Sequence, residues 1–470
     1  MIYNQVENSQ HEHHAGAVLY LARVEAEDTT QPQSNRRPTR LAKSVYSFAL
    51  TAAALASILG CGNTYRPVVS AINPVGPAGQ PTKYAVAVSS PSQTLPGLVT
   101  IVDFSGDTVL ITANLGVNPY YFVLNSGGNT GYTLNSDGTV NSFGISTTLQ
   151  TKDVLQTTLL SGAGPNNILP LTTSTYISEA GSRNSIAQLT GSPLALKQEL
   201  PIDTGYTPVY IVGAAAGTRA YAISQATNGG PGQVAAIDIS SNTISNRLTV
   251  GVAPIYGVMT SDGRRAFVMN KGDGTVSVIN SQTNQLDVAP TGSTNPIVVG
   301  TQPVWADFAA ARNELVVANA GDGVNPGSLS VINIPLCSVV TLPSNPGCDA
   351  TNPVDAVGFG QVLATVPVGV NSLMVAVLQD TANSRAYVLN QHDSTVSVVN
   401  LSSNTVTKTI PVPASVHPTF IAATSGTPTG KVYVTSPETN TMTIIRTDTD
   451  EVETTVDLQG KGVQVRVSAP

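Results

Sequence analysis

The sequence predicts an all-β fold: a β-propeller of four-stranded antiparallel blades, eight in number, its ring closed by the C-terminal strand. Three observations predict it. A unit of roughly 45 residues recurs from about residue 82 onward, the period of a propeller blade or solenoid coil. Its clearest copies read Arg265-Ala-Phe-Val-Met-Asn270 then Gly272-Asp-Gly-Thr-Val-Ser-Val-Ile-Asn280, and Arg385-Ala-Tyr-Val-Leu-Asn390 then Asp393-Ser-Thr-Val-Ser-Val-Val-Asn400. The composition agrees: of 470 residues only 11% are charged, while 41 are Gly and 31 Pro, which suits many short strands and tight turns. Finally, the first unit lacks a first strand, and the chain ends in an alternating strand, Gly460-Lys-Gly-Val-Gln-Val-Arg-Val467, with no blade after it. An unpaired edge strand invites aggregation, so this last strand is expected to complete the first blade.

Residues 1–35 are polar and mixed in charge, the pattern of an extension ahead of a signal or of a start placed too early. His11, Glu12, His13 and His14 fall there and carry little weight as a metal tract. In residues 36–61, Arg36, Arg37, Arg40 and Lys43 form a basic segment, and residues 45–59 are uncharged and mostly apolar. That run has the length of a signal h-region. It ends Ile58-Leu59-Gly60-Cys61, which resembles the lipobox of bacterial lipoproteins, with Ile58 where Leu is usual. The resemblance implies lipidation of Cys61 and a membrane anchor, with Gly62 pointing to the outer membrane or cell surface. Residues 62–81 are rich in Pro, Gly and small residues and read as a tether.

The propeller is expected over residues 82–470. Its second strands are legible at 85–89, 131–135, 175–179, 220–224, 266–270, 315–319, 386–390 and 432–436. Third strands follow at 99–103, 140–144, 234–238, 275–280, 329–333, 396–400 and 442–446. Hairpins such as Gly272-Asp-Gly274 join them, because Gly supplies φ > 0 without a Cβ clash. The unit around 174–191 is degenerate, and seven blades is the alternative if residues 160–200 are no blade. Cys337 and Cys348 lie in a Pro- and Asn-rich insertion near 335–358 and are expected to pair in an oxidising compartment. Such a bridge is worth roughly 2–3 kcal/mol in the chain-entropy picture.

Phe267-Val-Met-Asn270, Val316-Val-Ala-Asn319, Tyr387-Val-Leu-Asn390 and Tyr433-Val-Thr-Ser436 resemble the YVTN family of β-propeller repeats. The family's motif continues with a Gly-Asp-Gly turn, a strand ending in Asp, and Gly-x-x-Pro leading into the next blade. Asp238 matches the strand end, where Asn280, Asn333 and Asn400 replace it; Gly251-x-x-Pro254 and Gly300-x-x-Pro303 match the lead. The resemblance is specific over residues 205–458 and weaker over 82–204.

Propeller ligands of known type sit at the mouth of the central channel. The loops leading into the innermost strands carry Tyr121, Tyr206, Tyr256, Trp305, Asn371 and His417, the candidate ligand-binding residues. Set against this, aromatics near strand starts more often wedge between blades as core, and Asn-Pro pairs are turn chemistry first. No catalytic set, metal site or cofactor is expected. His392 and His417 stand in no zinc-type spacing, and neither a Gly-x-Ser-x-Gly elbow nor a phosphate loop occurs. Asp273, Asp322 and Asp393 recur as turn acids. A net charge of −7 with no basic run after residue 43 argues against nucleic acid. The expected function is a lipid-anchored, non-enzymatic binding or scaffolding module of the cell envelope, its ligand or protein partner unknown. The alternative is an enzyme similar to propeller lactonases or quinone-dependent dehydrogenases, for which His417, His392, Arg183 and Lys271 are the candidates. Substituting Cys61→Ser is expected to move the protein from the membrane fraction to the soluble one; continued membrane attachment would refute the anchor.

Overall fold

Period-two alternation makes each short run a strand, and Gly-, Asn- and Asp-rich turns fold consecutive strands back antiparallel. The computed structural model describes residues 83–287, 295–335, 358–427 and 429–468, all within the unit Gln80–Pro470. Cys61, the signal and tether segments, and Cys337 and Cys348 lie outside the described residues.

Eight four-stranded antiparallel sheets form the ring of an eight-bladed propeller. Blade 1 carries the closure: Tyr84–Ser90, Pro96–Asp103 and Val109–Val117 are its outer three strands, and Lys461–Val467 is its innermost. Blades 2 to 8 each run in chain order from an innermost strand: Pro119–Leu124, Pro165–Pro170, Tyr206–Gly213, Pro254–Met259, Pro303–Ala309, Ser372–Val377 and Phe420–Thr424. The degenerate stretch is a complete blade 3, with second strand Thr175–Glu179 and third strand Ser185–Thr190. Eight blades, not seven, is therefore the count.

The middle strands are sandwiched between neighbouring blades. Arg265–Asn270 and Thr275–Asn280 are buried at every position, whereas the outermost strand Thr405–Pro411 is mostly exposed. In blade 5 the outermost strand is broken into Gln285–Leu286 and Ile297–Val298. Asn295 fills part of the gap: its Oδ1 accepts from the Val278 N–H at 3.1 Å and its Nδ2 donates to the Val278 carbonyl at 3.0 Å. A side-chain amide thus stands in for a strand peptide on an otherwise open edge.

The repeat's motif residues build the joint between blades. The Asn ending a second strand donates from Nδ2 to hydroxyls on its own third strand: Asn270 to Thr275 and Ser277, Asn390 to Thr395 and Ser397, Asn319 to Ser328 and Ser330. The same amide occupies the space beside the Gly that ends the preceding blade. A Cβ on Gly251 would lie 2.7 Å from Asn270 Nδ2, and one on Gly300 2.7 Å from Asn319 Nδ2. Gly is required there by this close approach. The turn acids complete the joint. Asp273 accepts the Val252 N–H at 2.9 Å, and Asp393 accepts that of Val370 at 2.7 Å. Asp322 instead caps its own turn, accepting the N–H groups of Val324 and Asn325, which hold its carboxyl down to about 2. Recurring acids therefore satisfy backbone N–H groups, two across the joint and one within its own turn.

The ring closes without a covalent bond. Lys461–Val467 pairs antiparallel with Tyr84–Ser90, from Ala85 opposite Val467 to Ser90 opposite Lys461. Ser468 N–H donates to the Tyr84 carbonyl and Tyr84 N–H to Ser468 Oγ, at 2.9 and 3.0 Å. Across the seam between blades 8 and 1, Lys431, 2% exposed, pairs with Asp107 and lies 3.5 Å from Glu453. Burial pushes the Asp107 carboxyl up, and Lys431 pulls it back. Removing one partner of a buried pair strands the other. Lys431→Met is therefore expected to destabilise the fold by about 3 kcal/mol, and adding Asp107→Leu to recover much of that loss, as read by denaturant titration.

Candidate functional site

The innermost strand of every blade has one edge facing the channel, and the pairing registers fix which side chains lie at each level. One residue of each sits opposite the next-to-last residue of its repeat's second strand. Going round the ring these are Gln464, Tyr121, Asn167, Tyr210, Tyr256, Trp305, Met374 and Phe420. They form a belt. Asn167 Nδ2 donates to the Tyr121 hydroxyl at 2.6 Å, and the Tyr210 hydroxyl faces those of Tyr121 and Tyr256. Tyr210 and Tyr256 have ring centroids 4.8 Å apart; Tyr256 stacks on Trp305 at 4.0 Å; Phe420 meets Trp305 edge-on at 6.0 Å. Such contacts stabilise aromatic pairs beyond area burial. Burial pushes the phenols of Tyr121, Tyr210 and Tyr256 up, against the pull of Arg466.

Two residues further along each strand lies a second level: Arg466, Val123, Leu169, Val212, Val258, Asp307, Ala376 and Ala422. Six of these are aliphatic, so the two charges stand out. Asp307 accepts backbone N–H groups from Phe308 and, across blades, from Val377, both at 2.8 Å. Burial nevertheless pushes its carboxyl up to about 6, against those two donors and Arg466. Arg466 lies over the Phe420 ring, 4.4 Å from its centroid, and its buried Nε has no hydrogen-bond partner. A cavity of about 320 Å³ opens at this level, walled by Tyr256 and Trp305, floored by Ala376, Ala422 and Ala423, and carrying both Asp307 and Arg466. Aromatic walls with a few polar groups are the ordinary make-up of a small-molecule site.

The inner edge also explains several polar side chains. Edge N–H groups facing the channel need acceptors. Gln464 accepts from Phe122 at 2.8 Å and Asn167 from Ile211 at 3.1 Å, as Asp307 does from Val377.

Of the residues singled out in the sequence, Tyr121, Tyr256 and Trp305 meet in the belt. Trp305 also packs against three hydrophobic clusters, so it is channel wall and inter-blade wedge at once. Tyr206 sits apart, packed on the cluster of Tyr176 and Ile202, while Tyr210 holds the belt position of blade 4. Asn371 and His417 lie on the near face, where loops lead into the innermost strands. Asn371 has φ 55° and donates from Nδ2 to Gln391 at 2.6 Å. His417 has φ 42°, and its Nδ1 lies 3.0 Å from Glu438. A wider cavity of about 640 Å³ opens on that face beside Asn118, Tyr120, Thr419 and Lys461. The four enzyme candidates lie apart: Arg183 pairs with Glu199, His392 with Asp393, and His417 with Glu438, while Lys271 borders a surface pocket beside Asp273. Arg466, Asp307 and Tyr210 were not singled out. Among the described residues no cluster of His, Cys, Asp and Glu suited to a metal ion occurs.

No family model matches this chain, and no curated protein does. Among solved structures, it is similar to apo AztD from Citrobacter koseri, with 12% identity, 82% of this chain and 97% of that one covered, and a TM-score of 0.55. It is also similar to the dihydro-heme d1 dehydrogenase NirN in complex with DHE, with 12% identity, 83% and 76% covered, and a TM-score of 0.56. At this identity the likeness shows the propeller fold.

Asp307 gives a pH dependence whose sign is fixed. Its folded value of about 6 stands above the ordinary 3.8, so folding favours the bound proton. That contribution is complete below the ordinary value and is lost as pH rises through about 6. Replacing Asp307→Asn is expected to reduce the loss of stability between about pH 4 and about pH 7 by about 2 kcal/mol, measured as the change in denaturation midpoint across that range.

Proposed function

We propose that this chain is a non-enzymatic binding propeller of the cell envelope, lipid-anchored through Cys61, that holds a small organic ligand in its channel cavity. The observation that carries the reading is the cavity of about 320 Å³ between the Tyr256–Trp305 stack and the alanine floor. Its walls are packed: Tyr256 stacks on Trp305, and Trp305 is wedged against three hydrophobic clusters, which favours a low ordering cost of binding. NirN, similar in fold, is described in complex with DHE, a precedent for a ligand-holding chain of this architecture. The lipobox-like Ile58-Leu59-Gly60-Cys61 supports the anchor. The enzyme alternative rests on Asp307, whose raised carboxyl faces the cavity. It draws no support from His417, His392, Arg183 and Lys271, none of which lines the cavity.

Trp305 is the single Trp of the chain, so intrinsic fluorescence reports on the cavity wall. Titrating the whole protein with benzamide, benzoate and benzylamine is expected to give a saturable emission change with at least one. That response should vanish in Ala422→Leu, which fills the cavity while leaving the stacked rings in place. A flat response to all three compounds would overturn the binding reading.

A further inference from the structure

The second level of the channel holds a cation whose Nε is buried without a hydrogen-bond partner. Arg466 is carried by the closing strand, and its neighbour Val465 is fully buried on the opposite face, which directs Arg466 to the channel side. The Arg466 Cζ lies 4.4 Å from the Phe420 ring centroid, a cation–π contact that uses none of the N–H donors, and Nε is buried without a partner. Asp307 is close enough to act on Arg466 electrostatically, yet its two oxygens are already engaged by Phe308 and Val377 N–H groups. A buried donor left unpaired costs free energy, and a charged one costs more. The group that relieves this cost is a planar anion able to take two parallel N–H bonds, and the flat apolar wall of Tyr256 and Trp305 asks for an organic body behind it.

Building on the cavity as a ligand site, we propose that it takes a small organic monocarboxylate, its carboxylate on the edge of the Arg466 guanidinium and its apolar body against Trp305 and Tyr256. Inorganic anions fit less well, because the aliphatic second level offers them no further donors. The groups facing Asp307 are Arg466 and Tyr256, with Tyr121 and Tyr210 beyond on the belt. The three phenols stay neutral, so the charge of the cavity varies with Asp307 alone. A carboxylate ligand meets less repulsion when Asp307 is protonated, and its affinity falls as pH rises through the ionisation of that group.

The test uses the whole protein and the same three probes, read by Trp305 emission and checked by calorimetry. Benzoate is expected to bind roughly tenfold or more tightly than benzamide or benzylamine, the difference a charge-assisted pair makes. Its affinity should weaken from about pH 5 to about pH 8, while that of benzamide stays level. Arg466→Gln should bring benzoate down to the benzamide level, with unchanged circular dichroism. Binding of benzamide or benzylamine as tight as that of benzoate would overturn the carboxylate assignment while leaving the cavity a binding site. So would a benzoate preference that survives in folded Arg466→Gln. The wild-type series decides the matter even where the variant fails to fold.

Discussion

The structure depends on a steric fit between blades: the Asn that ends one blade's second strand lies where a Cβ of the preceding blade's Gly would stand. The Asn amide cannot keep its hydroxyl partners unless that Gly is bare, and the chain cannot turn inward to the next blade unless it passes over that amide. The residue just before the innermost strand then takes a left-handed conformation, at Asn118 with φ 46°, Ala253 with φ 49°, Gln302 with φ 57° and Asn371 with φ 55°. Asn tolerates that conformation better than Ala or Gln. The repeat's signature is thus one joint written in two places, and it recurs at Gly116–Asn135, Gly251–Asn270, Gly300–Asn319 and Gly369–Asn390, four of the ring's junctions.

That joint explains why the fold was legible and the site only in part. Alternation, turn glycines and the Gly-x-x-Pro leads read directly as strands and connections. Blade 3 looked degenerate because Glu179 stands at the Asn position, taking a 2.7 Å bond from Ser185 rather than giving one. The packing of the blade survives the exchange, but its pattern does not. In the channel, Tyr121, Tyr256 and Trp305 each come two residues after the Pro that opens an innermost strand. The same offset from Pro208 leads to Tyr210, so the signal was present but was applied to Tyr206 instead.

Arg466 and Asp307 carried no such signal. Asp307 is a lone charge in an otherwise apolar strand and Arg466 shares its strand with Lys461 and Gln464, and only the registers of strands distant in sequence bring the two to one level of the channel. Asp307 is also a structural acceptor for an inner-edge N–H, a demand that arises because innermost strands leave one side unpaired. The same demand accounts for Gln464 and Asn167. Polar side chains in the bore therefore have two roles, and the unpartnered Nε sets Arg466 apart from those that serve the backbone.

Closure of the ring by the last strand also governs when the cavity can exist. Tyr84–Ser90 pairs on one side with Pro96–Asp103 and on the other with a partner strand more than three hundred residues away, a contact of very high order whose loop-closure cost is large. Because Arg466 rides on that partner, seven blades and most of the aromatic belt can assemble with no cation in the bore. The guanidinium sits on the closing strand, so the proposed carboxylate site is complete only where that strand pairs with Tyr84–Ser90.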